Sequence, residues 1–109
     1  EAMITLKSFD VPLEKALSAI NTSSGRSWVS QQRFPDHVLS RTFDYGFSLG
    51  LHCKDVGTFE EMINDHNLEV SVLRKILKTM QDAIIQLNPD ADHLEVIKLI
   101  EAQSGFTIQ

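Results

Sequence analysis

Residues 73–87 read Leu73-Arg74-Lys75-Ile76-Leu77-Lys78-Thr79-Met80-Gln81-Asp82-Ala83-Ile84-Ile85-Gln86-Leu87. Leu73, Ile76, Leu77, Met80, Ala83, Ile84 and Leu87 recur at steps of three and four, the repeat of an α-helix with one apolar stripe. Arg74, Lys75, Lys78, Gln81, Asp82 and Gln86 fill the other face. Asn88-Pro89 stops the helix, because a residue before proline is pushed out of the helical region.

The same repeat extends in both directions. A following helix starts near Asp90 or Asp92, either of which can cap it, and runs through Leu94, Ile97 and Ile100 to Ser104-Gly105. Before residue 73, Asn67-Leu68-Glu69-Val70 reads as a connector and about Leu49 to His66 as a helix. Residues 36–48 read as a loop with at most one helical turn. Arg26 to Arg33 reads as a short helix ended by Phe34-Pro35. Val11-Pro12-Leu13-Glu14 opens another, with Pro12 in its first turn, Asp10 as cap, and Leu13, Ala16, Leu17 and Ile20 as the buried stripe. Asn21-Thr22-Ser23-Ser24-Gly25 breaks it. Glu1–Asp10 resembles the last turns of a helix. No stretch alternates as a strand would. The expected fold is all-α, an irregular bundle of about five or six helices.

The chain has 109 residues, the size of one domain. With 42% hydrophobic and 23% charged residues it is globular in composition. Its net charge of −5 and scattered Lys and Arg residues argue against nucleic acid or anionic lipid as partner. A single cysteine, Cys53, forms no internal disulfide, and His37, His52, His66 and His93 have no metal-ligand spacing. No metal is therefore expected. A reducing compartment is, cytoplasmic first and mitochondrial second. No apolar run approaches the ~20 residues of a membrane span, and the first residues are not a signal peptide.

Two segments stand out chemically. On a helix from about Leu49, Gly50, Lys54, Gly57, Thr58 and Glu61 share one face. Each interior glycine costs roughly 1 kcal/mol against alanine, so close approach of another body to the Lys54 face is the expected return. The plainer reading lets a neighbouring helix approach there, with Lys54 merely solvated. His52, Val56, Phe59 and Ile63 share another face, suited to a core. The second segment is Ser23-Ser24-Gly25-Arg26-Ser27-Trp28. Amides at a helix start beside a guanidinium can hold an anion; the plainer reading has Ser24 as a cap and Trp28 in the core. Cys53 has no adjacent base, and no G-x-G-x-x-G, P-loop or nucleophile elbow occurs.

Ser24-Gly25-Arg26-Ser27-Trp28, then Phe47, then Leu51-His52-Cys53-Lys54-Asp55-Val56-Gly57, then the Asp-led Asp92-His93-Leu94-Glu95 helix, together resemble the C-terminal domain of the β-hydroxyacid dehydrogenases, over nearly the whole chain. That family includes 3-hydroxyisobutyrate dehydrogenase, tartronate semialdehyde reductase and L-threonate dehydrogenase. The resemblance implies a helical fold like the C-terminal domain of 6-phosphogluconate dehydrogenase. Residues 1–109 would form a substrate and dimerisation domain that starts at the end of the interdomain helix, with the dinucleotide-binding Rossmann domain outside this chain. It implies hydride transfer between NAD or NADP and a small 3-hydroxy acid or its semialdehyde, with no activity in this segment alone. Lys54 would reach the nicotinamide end of the cofactor. Phe47 and Asp55 would lie at the substrate, with Ser24, Gly25 and Arg26 near the cleft. The family's acid/base lysine sits in a G-x-x-x-K-x-x-x-N motif that this chain lacks, so no catalytic residue is expected here and Lys54 is not that lysine. The segment reads Leu51-His52-Cys53 where the family usually has apolar residues and methionine or glutamine. Its partners would be its own N-terminal Rossmann domain and further copies of itself, since apolar surface is expected on Glu1–Leu6 and near Trp28. The alternative is a non-enzymatic helical protein-interaction domain.

Overall fold

The computed structural model describes all residues, Glu1–Gln109. It is all-α. The helices are α1 (Ala2–Ser8), α2 (Leu13–Asn21), a π-helix (Val29–Leu39), α3 (Leu49–Asp65), α4 (Ser71–Gln86), a 3₁₀ turn (His93–Glu95) and α5 (Val96–Ser104). They divide between two compact units, one of Glu1–Tyr45 with Ile100–Gln109 and one of Gly46–Leu99.

In the first unit α1 buries Met3 and Ile4, against the expectation of apolar surface along Glu1–Leu6. α2 packs on α1 and buries Leu13, Ala16 and Leu17, with Ile20 half-buried. Asp10 does not cap α2. It takes φ 58 just after α1, the left-handed conformation that ends helices and that aspartate tolerates. Pro12 is the residue flanking α2, one place earlier than a first-turn position.

The segment after Trp28 differs most from expectation. Helix continues through Phe34-Pro35 to Leu39, where a stop was expected. The winding is π. In an α-helix the proline ring strikes the carbonyl four residues back; the wider π turn bonds each amide five residues back and moves that carbonyl aside.

In the second unit α3 and α4 pack on each other as a hairpin. Ser48 caps α3, its Oγ accepting from the Leu51 amide. Asn67 ends it at φ 54, with the Leu68 amide bonded back to the Ile63 carbonyl. Leu49, Ala83 and Leu99 form the buried centre, with Ile84, Leu87 and Val96 against them. The α4 stripe is narrower than its sequence suggests. Leu77, Met80 and Ala83 are buried but Ile76 is exposed, because α3 covers only one flank of the helix. Phe59, expected in the core, is 53% exposed. His52 has the 3₁₀ turn over it, whereas Phe59 lies two turns further along α3, beyond that cover.

Candidate functional site

The start of α3 is tied to the segment 89–93. Ser48 pairs with Asp92 in an isolated antiparallel bridge. The Leu49 amide donates to the Ala91 carbonyl at 2.7 Å and the Gly50 amide to the Pro89 carbonyl at 2.9 Å. With the Leu51 amide on Ser48 Oγ and the His52 amide on the Ser48 carbonyl, every first-turn donor of α3 has an acceptor. A helix start normally offers such amides to an anion; this one has none left.

Phe47 sits at the centre of this junction. Its carbonyl accepts the His93 amide at 2.9 Å. His93 Nδ1 lies 3.2 Å from the same oxygen, and since a carbonyl only accepts, Nδ1 carries the proton. The Phe47 ring lies 5.6 Å from the His93 ring and 5.7 Å from His52, and the two imidazoles are 5.1 Å apart, edge to face. His93 is only 5% exposed. Asp92 Oδ2 accepts the Gly46 amide at 2.8 Å and Oδ1 accepts the Leu94 amide at 3.0 Å. Glu95 reaches back to the Asp92 amide, completing a capping box. Asp92, not Asp90, is thus the cap. Its hold on Gly46, and the part played by His93, were not read from the sequence; the only signal was an Asp-His pair directly ahead of a helix.

Lys54 and Asp55 are exposed on α3. Of the two glycines flanking Lys54, Gly50 is explained by the chain itself, since a Cβ there would stand 3.0 Å from the Pro89 carbonyl oxygen. Gly57 faces open space. The Lys54 face is therefore half of the expected groove.

Ser24, Gly25 and Arg26 are exposed and lie in the first unit, whereas Phe47, Lys54 and Asp55 lie in the second. Ser24 is not the cap. Ser27 and Ser30 fill that role reciprocally, the Ser30 amide donating to Ser27 Oγ at 3.0 Å and the Ser27 amide to Ser30 Oγ at 2.9 Å. Trp28 is not in the core but 66% exposed, which agrees with the apolar surface expected around it. In the same unit, Asp44 accepts from Thr42 Oγ1 and pairs with His37 Nδ1, each at 2.6 Å. The Thr42 hydroxyl, and then His37, hold the Asp44 carboxyl below the usual aspartate range. Burial pushes the Cys53 thiol up, which favours the unreactive protonated form. No three His, Cys, Asp or Glu side chains lie close enough to hold a metal ion.

A family model described as NAD-binding of NADP-dependent 3-hydroxyisobutyrate dehydrogenase matches residues 1–100. The chain belongs to this family. The 3-hydroxyisobutyrate dehydrogenase family uses NAD(P), and its lineage is that of NAD(P)-dependent hydroxyacid dehydrogenases. The matched model carries the NAD-binding description rather than that of a C-terminal domain, so the match gives the family and not this segment's place in a longer enzyme. No curated protein matches the chain.

Proposed function

We propose that this chain is the helical half of an NAD(P)-dependent 3-hydroxyacid dehydrogenase, C-terminal to a separate dinucleotide-binding half and inactive without it. One observation carries the reading: a dehydrogenase family match spans residues 1–100 of a chain built of helices with no β-strand. Dinucleotide folds of the Rossmann type cradle the diphosphate in a Gly-rich turn between a strand and a helix, and this sequence has no such turn. The occupied amides at the start of α3 likewise offer a diphosphate nothing. What the chain does offer beside the open Gly57 face is an exposed cation, Lys54. That fits a contact made from one side, with the rest of the cofactor held elsewhere.

In this reading the bound cofactor carries the hydride. Lys54 faces its nicotinamide end, and its charge favours anionic groups once the cleft excludes water. Phe47 and Asp55 border the hydroxy acid. The exposed apolar side chains Leu51, Phe59 and Met62 of α3 support a protein neighbour, either the Rossmann half or a second copy in a cytoplasmic homo-oligomer.

The test is kinetic. In the full-length protein, Lys54→Ala should lower kcat/KM for 3-hydroxyisobutyrate with NADP⁺ by about tenfold or more, the worth of a hydrogen bond to a charged group, at unchanged melting temperature. Wild-type kinetics in that variant would remove Lys54 from the site.

A further inference from the structure

We infer that Asp92 is a positioning residue for the substrate side of this enzyme, acting through the loop that carries Phe47; the inference rests on the dehydrogenase reading above. Phe47 lies between Gly46 and Ser48, and each of the three is held from the segment 91–93. Asp92 Oδ2 takes the Gly46 amide, the His93 amide and Nδ1 take the Phe47 carbonyl, and Asp92 bridges Ser48. The Asp92 side chain is 6% exposed, whereas the Gly46 amide it holds lies at the surface. A carboxylate acceptor forms one of the stronger hydrogen bonds to a backbone amide.

Asp92 has two tasks on two oxygens, and they can be separated. Oδ1 caps the helix start through the Leu94 amide, while Oδ2 holds the Gly46 amide. Asp92→Asn keeps one carbonyl oxygen, and asparagine caps as well as aspartate, but it turns an N–H toward the Gly46 N–H. Asp92→Ser keeps a capping oxygen and cannot reach Gly46. Either change releases the Gly46 amide and leaves the helix start intact, while the backbone contacts to Phe47 and Ser48 remain. A site whose competent arrangement is populated only part of the time binds its ligand more weakly by that fraction.

Two measurements on the full-length protein test this: amide exchange across residues 44–51, and kinetics with 3-hydroxyisobutyrate and NADP⁺. In both Asp92 variants the Gly46 amide should exchange about tenfold faster or more, while α5 keeps wild-type protection. KM should rise about tenfold, with kcat within about threefold. A purely structural role would instead speed exchange in α5 and lower the melting temperature. Wild-type exchange at Gly46, or faster exchange with KM unmoved, overturns the inference. Phe47→Ala and Lys54→Ala measured alongside tell the failures apart. If both have wild-type kinetics, the dehydrogenase reading of this face is wrong. If both are impaired and the Asp92 variants are not, only the positioning role falls.

Discussion

Arg41 holds Glu101 through two parallel bonds, Nη1 to Oε1 at 2.5 Å and Nη2 to Oε2 at 3.0 Å. Glu101 is 8% exposed, and its Oε1 also accepts the Ile108 amide at 2.7 Å, while Arg41 Nη1 reaches the Ile108 carbonyl at 3.1 Å. One ion pair thereby fastens the C-terminal residues, whose Ile108 is wholly buried. Removing Glu101 takes the partner from Arg41, which is 28% exposed, and strands the Ile108 amide, so Glu101→Ala should cost about 2 kcal/mol. Arg41→Lys should also destabilise, because an ammonium lacks the planar fork. Urea unfolding of the two variants checks this; losses near zero would mean that the ion pair does not hold the tail.

The two glycines of α3 should respond to alanine with opposite signs. At Gly57 nothing lies within reach of an added Cβ, so Gly57→Ala should stabilise by about 1 kcal/mol through helix propensity. At Gly50 the added methyl meets the Pro89 backbone and strains the 2.9 Å bond to its carbonyl, so Gly50→Ala should destabilise. Melting temperatures decide. In the full-length enzyme Gly57→Ala should also weaken NADP⁺ binding if the cofactor approaches that face.

Cys53 should be a poor nucleophile. Its thiol is pushed up by burial, so little thiolate exists near neutrality. Iodoacetamide at pH 7.5 should label it several times more slowly than free cysteine (about 8.5 in pKa), and denaturant should remove the difference. Fast labelling of the native protein would contradict the burial.

Asp44 should contribute to acid sensitivity. A carboxyl held below its usual range binds protons less readily when folded than when unfolded. Its contribution is therefore full above the ordinary aspartate range, about pH 4, and is lost as pH falls through the lowered value. Asp44→Asn should flatten the fall in melting temperature below about pH 4; an unchanged profile would discount the Thr42 and His37 contacts.

The long helices were legible because α3 and α4 each bury one flank, which imprints three- and four-residue spacing on Leu77, Met80 and Ala83. Candidate residues Phe47, Lys54 and Asp55 could be located as a helix start and an exposed turn. What stayed hidden depends on partners distant in the chain or on backbone geometry. Gly50 looked like a place for a ligand until Pro89 was seen against it. Pro35 looked like a stop because the rule for proline assumes α winding. Asp10 looked like a beginning although its left-handed backbone makes it an ending. Asp92 was read only as a cap, since the Gly46 amide it also holds is 46 positions away.

That separation also bears on the order of assembly. Domains acquire structure while the chain is still being synthesised, and contacts between distant residues carry the entropy of closing the loop between them. The first-turn amides of Leu49 and Gly50 have their acceptors at Ala91 and Pro89. On an emerging chain, the opening turn of α3 must therefore wait through the synthesis of the whole α3–α4 hairpin before it can lock. Until Pro89 and Ala91 have emerged, the leading end of the hairpin, next to Lys54, still frays.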